Sequence, residues 1–281
     1  MATEKTAQKL GTASARFEDG MLTVSTGRIR RCWQWTGRGF RTVEVTDTEH
    51  GRAWVDSENG AGADWILPGA ETDDPGAELL KVTVEESDDE GFTRPNLNAV
   101  AEMRYAAAGL RIRFSVWAYP DAPGLRTQLA AQLAPGAEPL GPWRFTRRAE
   151  TVPLTTAGRR RRLLGYWNDT QRRNDADQRL LKEVVRAPLA AGAADWCDWA
   201  SAACIEDEDG GIALVKESHK CVNQPGHDGG LFRFDAGQGL VSTGWGLLPH
   251  EIEEKRWYAG WAHWCLVYGA GDDARQTAFK T

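Results

Sequence analysis

The segment GLRIRFSVWAYP, residues 109–120, alternates Leu110, Ile112, Phe114 and Val116 with Arg111, Arg113 and Ser115. A period of two marks a strand with one face on a core and the other on water or polar side chains. The alternation recurs in MLTVSTG, RTVEVTD, LLKVTVEE, AEMRYAA and LRTQLAAQL, which Gly, Pro, Asp and Asn turns divide. It resumes beyond Cys197 in SAACIED, GGIALVKES, GLFRFDAG, GLVSTGWGL and WYAGWAHWCLVYG. The last of these carries bulk on both faces, as a central strand covered on both sides does. Helical periodicity is rare. NDADQRLLKEVVRAP offers Asn174 as a cap and Pro188 as a stop, yet LLKEVVRAP within it reads equally as a strand. There is no βαβ rhythm and no glycine-rich nucleotide loop. The pattern predicts an all-β chain with few short helices, built as one large antiparallel sandwich, with two smaller sandwiches as the alternative.

Composition removes several classes of partner. With 34 basic and 40 acidic residues and a formal charge of −6, the chain has no electrostatic footprint for a phosphate backbone or an anionic membrane. Neither nucleic acid nor membrane is an expected partner. The run RRRR at Arg159–Arg162 reads as a solvated turn beside a strand at Leu163 and Leu164. Five cysteines without a CxxC pair predict reduced, mostly buried thiols. The first residues lack the apolar core of a signal peptide, which makes the cytoplasm the expected location. Thirteen tryptophans are the unusual count. Indole fills wide β cores and also stacks on the apolar faces of sugars, so most of these side chains are expected to pack and a minority to face a carbohydrate.

Two stretches concentrate candidate site residues. KESHKCVNQPGHDGG, residues 216–230, holds Glu217, His219, Cys221, Asn223, His227 and Asp228. Its spacing lacks the second close ligand pair of a zinc site, so no metal or cofactor is expected there. Glu217, His219, Lys220 and Asn223 are instead candidates for carbohydrate or inter-domain contact, and NQPGHDGG reads as a turn. Ser218 and His219 make no catalytic dyad, because adjacent strand residues face opposite ways. In GAGADWILPG, Asp64 and Trp65 pair an acid with an aromatic, the combination that bonds a sugar hydroxyl and stacks on its ring. Trp65 is equally readable as the start of a strand. In DWCDWAS, core filling is the expectation for Trp196 and Trp199.

The order of GRIRRCWQWTGRGFRTVEVTDTEHGRAW, AGLRIRFSVWAYPDAPGLRTQLAAQL, GIALVKESHKCVNQ and VSTGWGLLPHEIEEKRWYAGWAHWCLVYG resembles the N-terminal β-supersandwich region of family 36 glycoside hydrolases, the alpha-galactosidase type. The resemblance spans residues 27–269. It implies a supersandwich of the galactose mutarotase-like kind over residues 21–270, after an N-terminal extension at 1–20. Residues 271–281 would then begin a linker helix toward a catalytic (β/α) barrel. In that family the barrel supplies the two catalytic aspartates, so none is expected here. Asp64 and Trp65 are similar in type to an N-terminal loop pair that reaches toward the sugar site in some members. The implied function is a non-catalytic domain that packs on the barrel and contributes to carbohydrate binding, with galactosides and homo-oligomer copies as further partners. A mutarotase-like aldose epimerase, with His219 and Glu217 or Asp228 as acid and base, is one alternative. A free-standing carbohydrate-binding module using Trp65 and Trp196 is the other.

Overall fold

A computed structural model describes residues 6–55, 62–67, 76–140, 148–166, 181–217, 231–246 and 249–280. The described strands are numbered in chain order and form three antiparallel sheets. The first sheet is a meander of six, β1 (Thr6–Leu10), β2 (Ala13–Glu18), β3 (Met21–Ser25), β4 (Ile29–Trp35), β5 (Phe40–Asp47) and β6 (Arg52–Val55). Residues 6–18, expected within an N-terminal extension, thus supply its first two strands.

The second sheet has nine strands. They are β7 (Glu78–Ser87), β8 (Asn96–Tyr105), β9 (Leu110–Ala118), β10 (Gly124–Leu133), β12 (Arg160–Tyr166), β13 (Leu181–Arg186), β15 (Ala202–Glu206), β16 (Gly210–Lys216) and β19 (Tyr258–Gly269). Their lateral order is β13-β12-β15-β16-β19-β10-β9-β8-β7. The third sheet joins β11 (Glu150–Val152), β18 (Gly239–Ser242), β17 (Phe232–Asp235) and β14 (Ala194–Cys197), in that order. After β19 the chain turns through Gly271 into one helix, α1 (Asp272–Lys280). Among the described residues no helix is long and apolar enough to cross a membrane.

Alternation decides which side chains meet. The inner face of β9 carries Leu110, Ile112, Phe114 and Val116, all buried, and its outer face carries Arg111, Arg113, Ser115 and Trp117. Phe114 lies at an aromatic centre, 5.6 Å from Trp33, 5.9 Å from Phe40 and 5.2 Å from Trp65 between ring centroids. Each such ring contributes roughly 1.5–3 kcal/mol by leaving water. Phe232, Phe234 and Leu240 of the small sheet belong to the same continuous core as these rings. The long sheet therefore backs both smaller ones, and the single large sandwich replaces the two-sandwich alternative.

One open alternative is decided and one local expectation changes. Leu181–Arg186 is strand, paired with β12, and the remainder of NDADQRLLKEVVRAP before it lies outside the described residues. The arginine run is no solvated turn, because β12 begins inside it. Arg161 points inward, donating to the Ala187 carbonyl at 3.0 and 2.6 Å with its guanidinium 5.5 Å from the Phe234 ring. Arg162 points outward to Glu206 at 2.9 Å and to Glu183. Each guanidinium finds a fixed acceptor, which is what allows it to sit within a strand.

Candidate functional site

Asp64 and Trp65 lie in the interior, 3% and 1% exposed. Trp65 closes over the Phe114 ring and its Nε1 donates to the Tyr105 hydroxyl at 3.3 Å. Gly39 is required beneath it, since a Cβ there would stand 2.8 Å from the indole. In this fold neither side chain presents a face to a sugar.

Asp64 belongs instead to a buried polar centre where the three sheets meet. Its Oδ2 accepts from the Thr42 hydroxyl at 2.6 Å and from Arg31 Nη2 at 3.2 Å, and the Thr42 backbone N–H donates to Oδ1 at 3.0 Å. Arg31 Nη2 also donates to Glu150 Oε1 at 2.6 Å and to the Thr151 carbonyl at 2.9 Å. Glu150 Oε2 in turn accepts from the Thr127 hydroxyl at 2.6 Å. Arg31 and Thr42 come from the six-stranded sheet, Glu150 and Thr151 from β11, and Thr127 from β10. The guanidinium thus joins two sheets directly and reaches the third through Glu150. Burial raises the Asp64 carboxyl to about 6, against the pull of Arg31, and Glu150 beside it pushes the same way. Arg31 stays cationic, its pKa raised by the two carboxylates despite the cost of burial.

His263 of β19 lies close by, with Nε2 2.9 Å from the Ser242 hydroxyl. Burial lowers its pKa to about 3, with Lys216 and Arg31 adding repulsion, so the imidazole is neutral at ordinary pH. Lys216 is itself buried, donating to the Thr243 carbonyl at 3.1 Å. His263, Glu150 and Thr127 line a narrow crevice, together with Trp245 and Trp261, that has room for about one water molecule. A pyranose does not fit. Retaining glycosidases place two carboxyls about 5–5.5 Å apart across a substrate pocket, whereas Asp64 and Glu150 are counterions sealed around Arg31.

The outer face of the long sheet is different. Glu217 continues the line of β16, its side chain 41% exposed. It accepts from Arg126 Nε at 2.8 Å and from Trp264 Nε1 at 3.4 Å. Arg126 sits directly between two tryptophans in the sheet register, Trp117 on β9 and Trp264 on β19. Its guanidinium lies 4.3 Å from the Trp117 ring, and Tyr119 stacks on Trp264 at 5.8 Å. Toward α1 the same lateral row continues through Val215, Ala202 and Leu164. The helix covers the neighbouring row, closing a second small core of Cys204, Ala213, Leu266, Tyr268 and Ala278.

Of the expected site residues that are described, Asp64, Trp65 and Glu217, the last is on this face; His219, Lys220 and Asn223 lie outside the described residues, as do Cys221, His227 and Asp228. Among the described residues no three His, Cys, Asp or Glu side chains approach closely enough to hold a metal. Trp199 packs in the core as expected, whereas Trp196 is 55% exposed. Sequence reasoning missed Arg31, Glu150, Lys216 and His263. The signal for Arg31 was available, because it occupies the inward phase between Ile29 and Trp33, where an apolar residue belongs. Lys216 likewise follows Ile212 and Leu214 on the inward phase of β16.

The architecture is that of an all-β supersandwich, and this class has solved counterparts. No protein-family profile matches the chain, and no curated protein matches it. The alpha-galactosidase AgaB of Geobacillus stearothermophilus, of glycoside hydrolase family 36, superposes with a TM-score of 0.56 at 10% identity, covering 92% of this chain and 41% of that one. The galactosidase domain of the alpha-galactosidase-sucrose kinase AgaSK gives 0.58 at 9% identity, over 92% and 42%. The alpha-galactosidase of Lactobacillus brevis gives 0.53 at 10%, over 92% and 40%. At such identity the likeness is one of fold, and the chain spans about two fifths of the length of each enzyme.

Proposed function

We propose that this chain is the non-catalytic N-terminal domain of an alpha-galactosidase-like glycoside hydrolase, packing on a catalytic (β/α) barrel and contributing to carbohydrate binding. The observation that carries the reading is the asymmetry of the match, 92% of this chain against 41% of AgaB. Two features support it. The interior carboxylates Asp64 and Glu150 are committed to Arg31 and closed to substrate, so neither is available as a catalytic group. α1 leaves β19 and packs back over Cys204, Ala213, Leu266 and Tyr268 at one part of the long sheet, which would give a following domain a fixed starting point. We place the protein in the cytoplasm, a reading that the free, buried thiols of Cys32, Cys197, Cys204 and Cys265 favour.

In the intact enzyme the reaction would be a double displacement at an anomeric carbon, with both catalytic carboxylates on the barrel. The test is the gene beyond codon 281. An in-frame continuation encoding a (β/α) barrel is expected, and an immediate stop codon overturns the reading. Hydrolysis of p-nitrophenyl α-galactoside by the purified 281-residue chain alone would overturn its non-catalytic part.

A further inference from the structure

The outer face of the long sheet changes character across its width. On β7 and β8 it is charged, with Glu78 paired to Arg104 and Lys81 to Glu102, as a solvated sheet face is. On β9, β10 and β19 it becomes aromatic, with Trp117, Tyr119 and Trp264 grouped around Arg126, Gln128 and Glu217. None of these three rings enters the sandwich core, and Trp264 borders the small core beneath α1. A patch of partly exposed indoles interleaved with planar polar groups has a specific chemistry. Indole faces take the apolar C–H faces of sugar rings, and guanidinium, carboxylate and amide groups bond the hydroxyls around them.

We propose that this face binds a linear oligosaccharide, with Trp117 and Trp264 as stacking platforms and Arg126, Gln128 and Glu217 as hydroxyl-bonding groups. The proposal rests on the carbohydrate part of the function proposed above and assigns it a place. The spacing supports it. Trp117 and Trp264 face each other across the single residue Arg126, so their strands lie two sheet spacings apart, roughly 9.5 Å. That interval suits alternate pyranoses of an extended chain, one over each indole with a single sugar between them. The groups are also already fixed. Arg126 is held by Glu217 at 2.8 and 2.6 Å and lies on Trp117, while Trp264 is held by the Glu217 carboxylate and by Tyr119. Little side-chain entropy remains to be lost on binding, which favours a modest-affinity site without a deep pocket.

Stachyose and maltotetraose, titrated separately into the 281-residue chain, provide the test through intrinsic tryptophan fluorescence and calorimetry. A saturable response with Kd of about 0.1–10 mM is expected for at least one of them. Trp117→Ala and Trp264→Ala should each weaken it about 10-fold or more. Glu217→Gln keeps the side-chain shape and should weaken binding with unchanged far-UV circular dichroism, separating loss of the site from loss of the fold. Phe92→Ser, at a residue 86% exposed elsewhere, should leave the affinity unchanged. The absence of a saturable response to both saccharides, or binding that survives both tryptophan substitutions, overturns the proposal. Radical footprinting that finds both tryptophans covered by a downstream domain in the longer protein overturns it too. A barrel encoded beyond codon 281 without saccharide binding sinks this site alone. A stop codon there with saturable binding sinks the hydrolase reading and leaves the site standing.

Discussion

His263 and Asp64 respond to burial in opposite directions, and the pair gives the protein an unusual acid response. In the fold His263 titrates at about 3 instead of 6.5. Between those values the unfolded chain holds a proton that the fold lacks. Acidification through that window therefore costs about 1.4 kcal/mol per pH unit, and the contribution of His263 is complete only above pH 6.5. Asp64 is raised from 3.8 to about 6, so between those values it is the fold that holds the extra proton. Its contribution is present below pH 3.8 and is lost as the pH rises through 6. From about pH 6 to 4 the two slopes oppose each other. Replacing the imidazole by His263→Gln, which retains a hydrogen-bonding partner for Ser242, removes one of them. The thermal midpoint of the variant relative to wild type should then rise steadily as the pH falls from 6.5 to 4. A difference that does not change with pH would show that His263 is not neutral in the fold. None of this was legible from period two alone, which assigns residues to faces but does not say which inward polar residues find one another. Arg31, Thr127 and His263 come together from β4, β10 and β19, elements nearly a hundred residues or more apart in the chain.

At the scale of elements the alternation was informative, because strand faces follow from side-chain order without knowledge of partners. The face assignment of Leu110–Val116 and the terminal helix were both readable. The strand start within RRRR was not, since the acceptors that allow Arg161 and Arg162 to enter the sheet come from Ala187 and Glu206. Turn glycines show the same division between local and tertiary causes. Gly192 and Gly239 both have positive φ, +74° and +92°, and sequence does not distinguish them. At Gly192 an added Cβ meets open space, so Gly192→Ala should cost only the left-handed backbone penalty of about 1–2 kcal/mol. At Gly239 the Cβ would stand 2.2 Å from the Val152 carbonyl oxygen and 2.6 Å from the Leu154 nitrogen, backbone atoms that cannot swing away. Overpacking adds about 1–3 kcal/mol there. Chemical denaturation of the two alanine variants reads the difference directly, and equal losses would mean that β11 does not press on the start of β18.

For the whole molecule, the question that sequence left open was one sandwich or two. Connectivity answers it, because the nine-stranded sheet runs unbroken behind both smaller sheets, and Arg31 bonds Thr42 of the six-stranded sheet and Glu150 of the four-stranded one, whose other oxygen is held by Thr127 of the long sheet. Separate sandwiches would unfold separately, whereas a shared sheet and a shared ion network couple the halves. Guanidinium unfolding followed by tryptophan fluorescence and by far-UV circular dichroism should therefore give coincident transitions. Arg31→Met sharpens the test. Removing the guanidinium leaves Asp64 and Glu150 buried without their shared cation, a loss of about 3–5 kcal/mol by analogy with other broken buried pairs. If the centre couples the sheets, both probes shift together to lower denaturant and remain superimposed. If fluorescence and circular dichroism separate, in wild type or in the variant, the halves are independent units and the junction at Arg31 is only a contact between them.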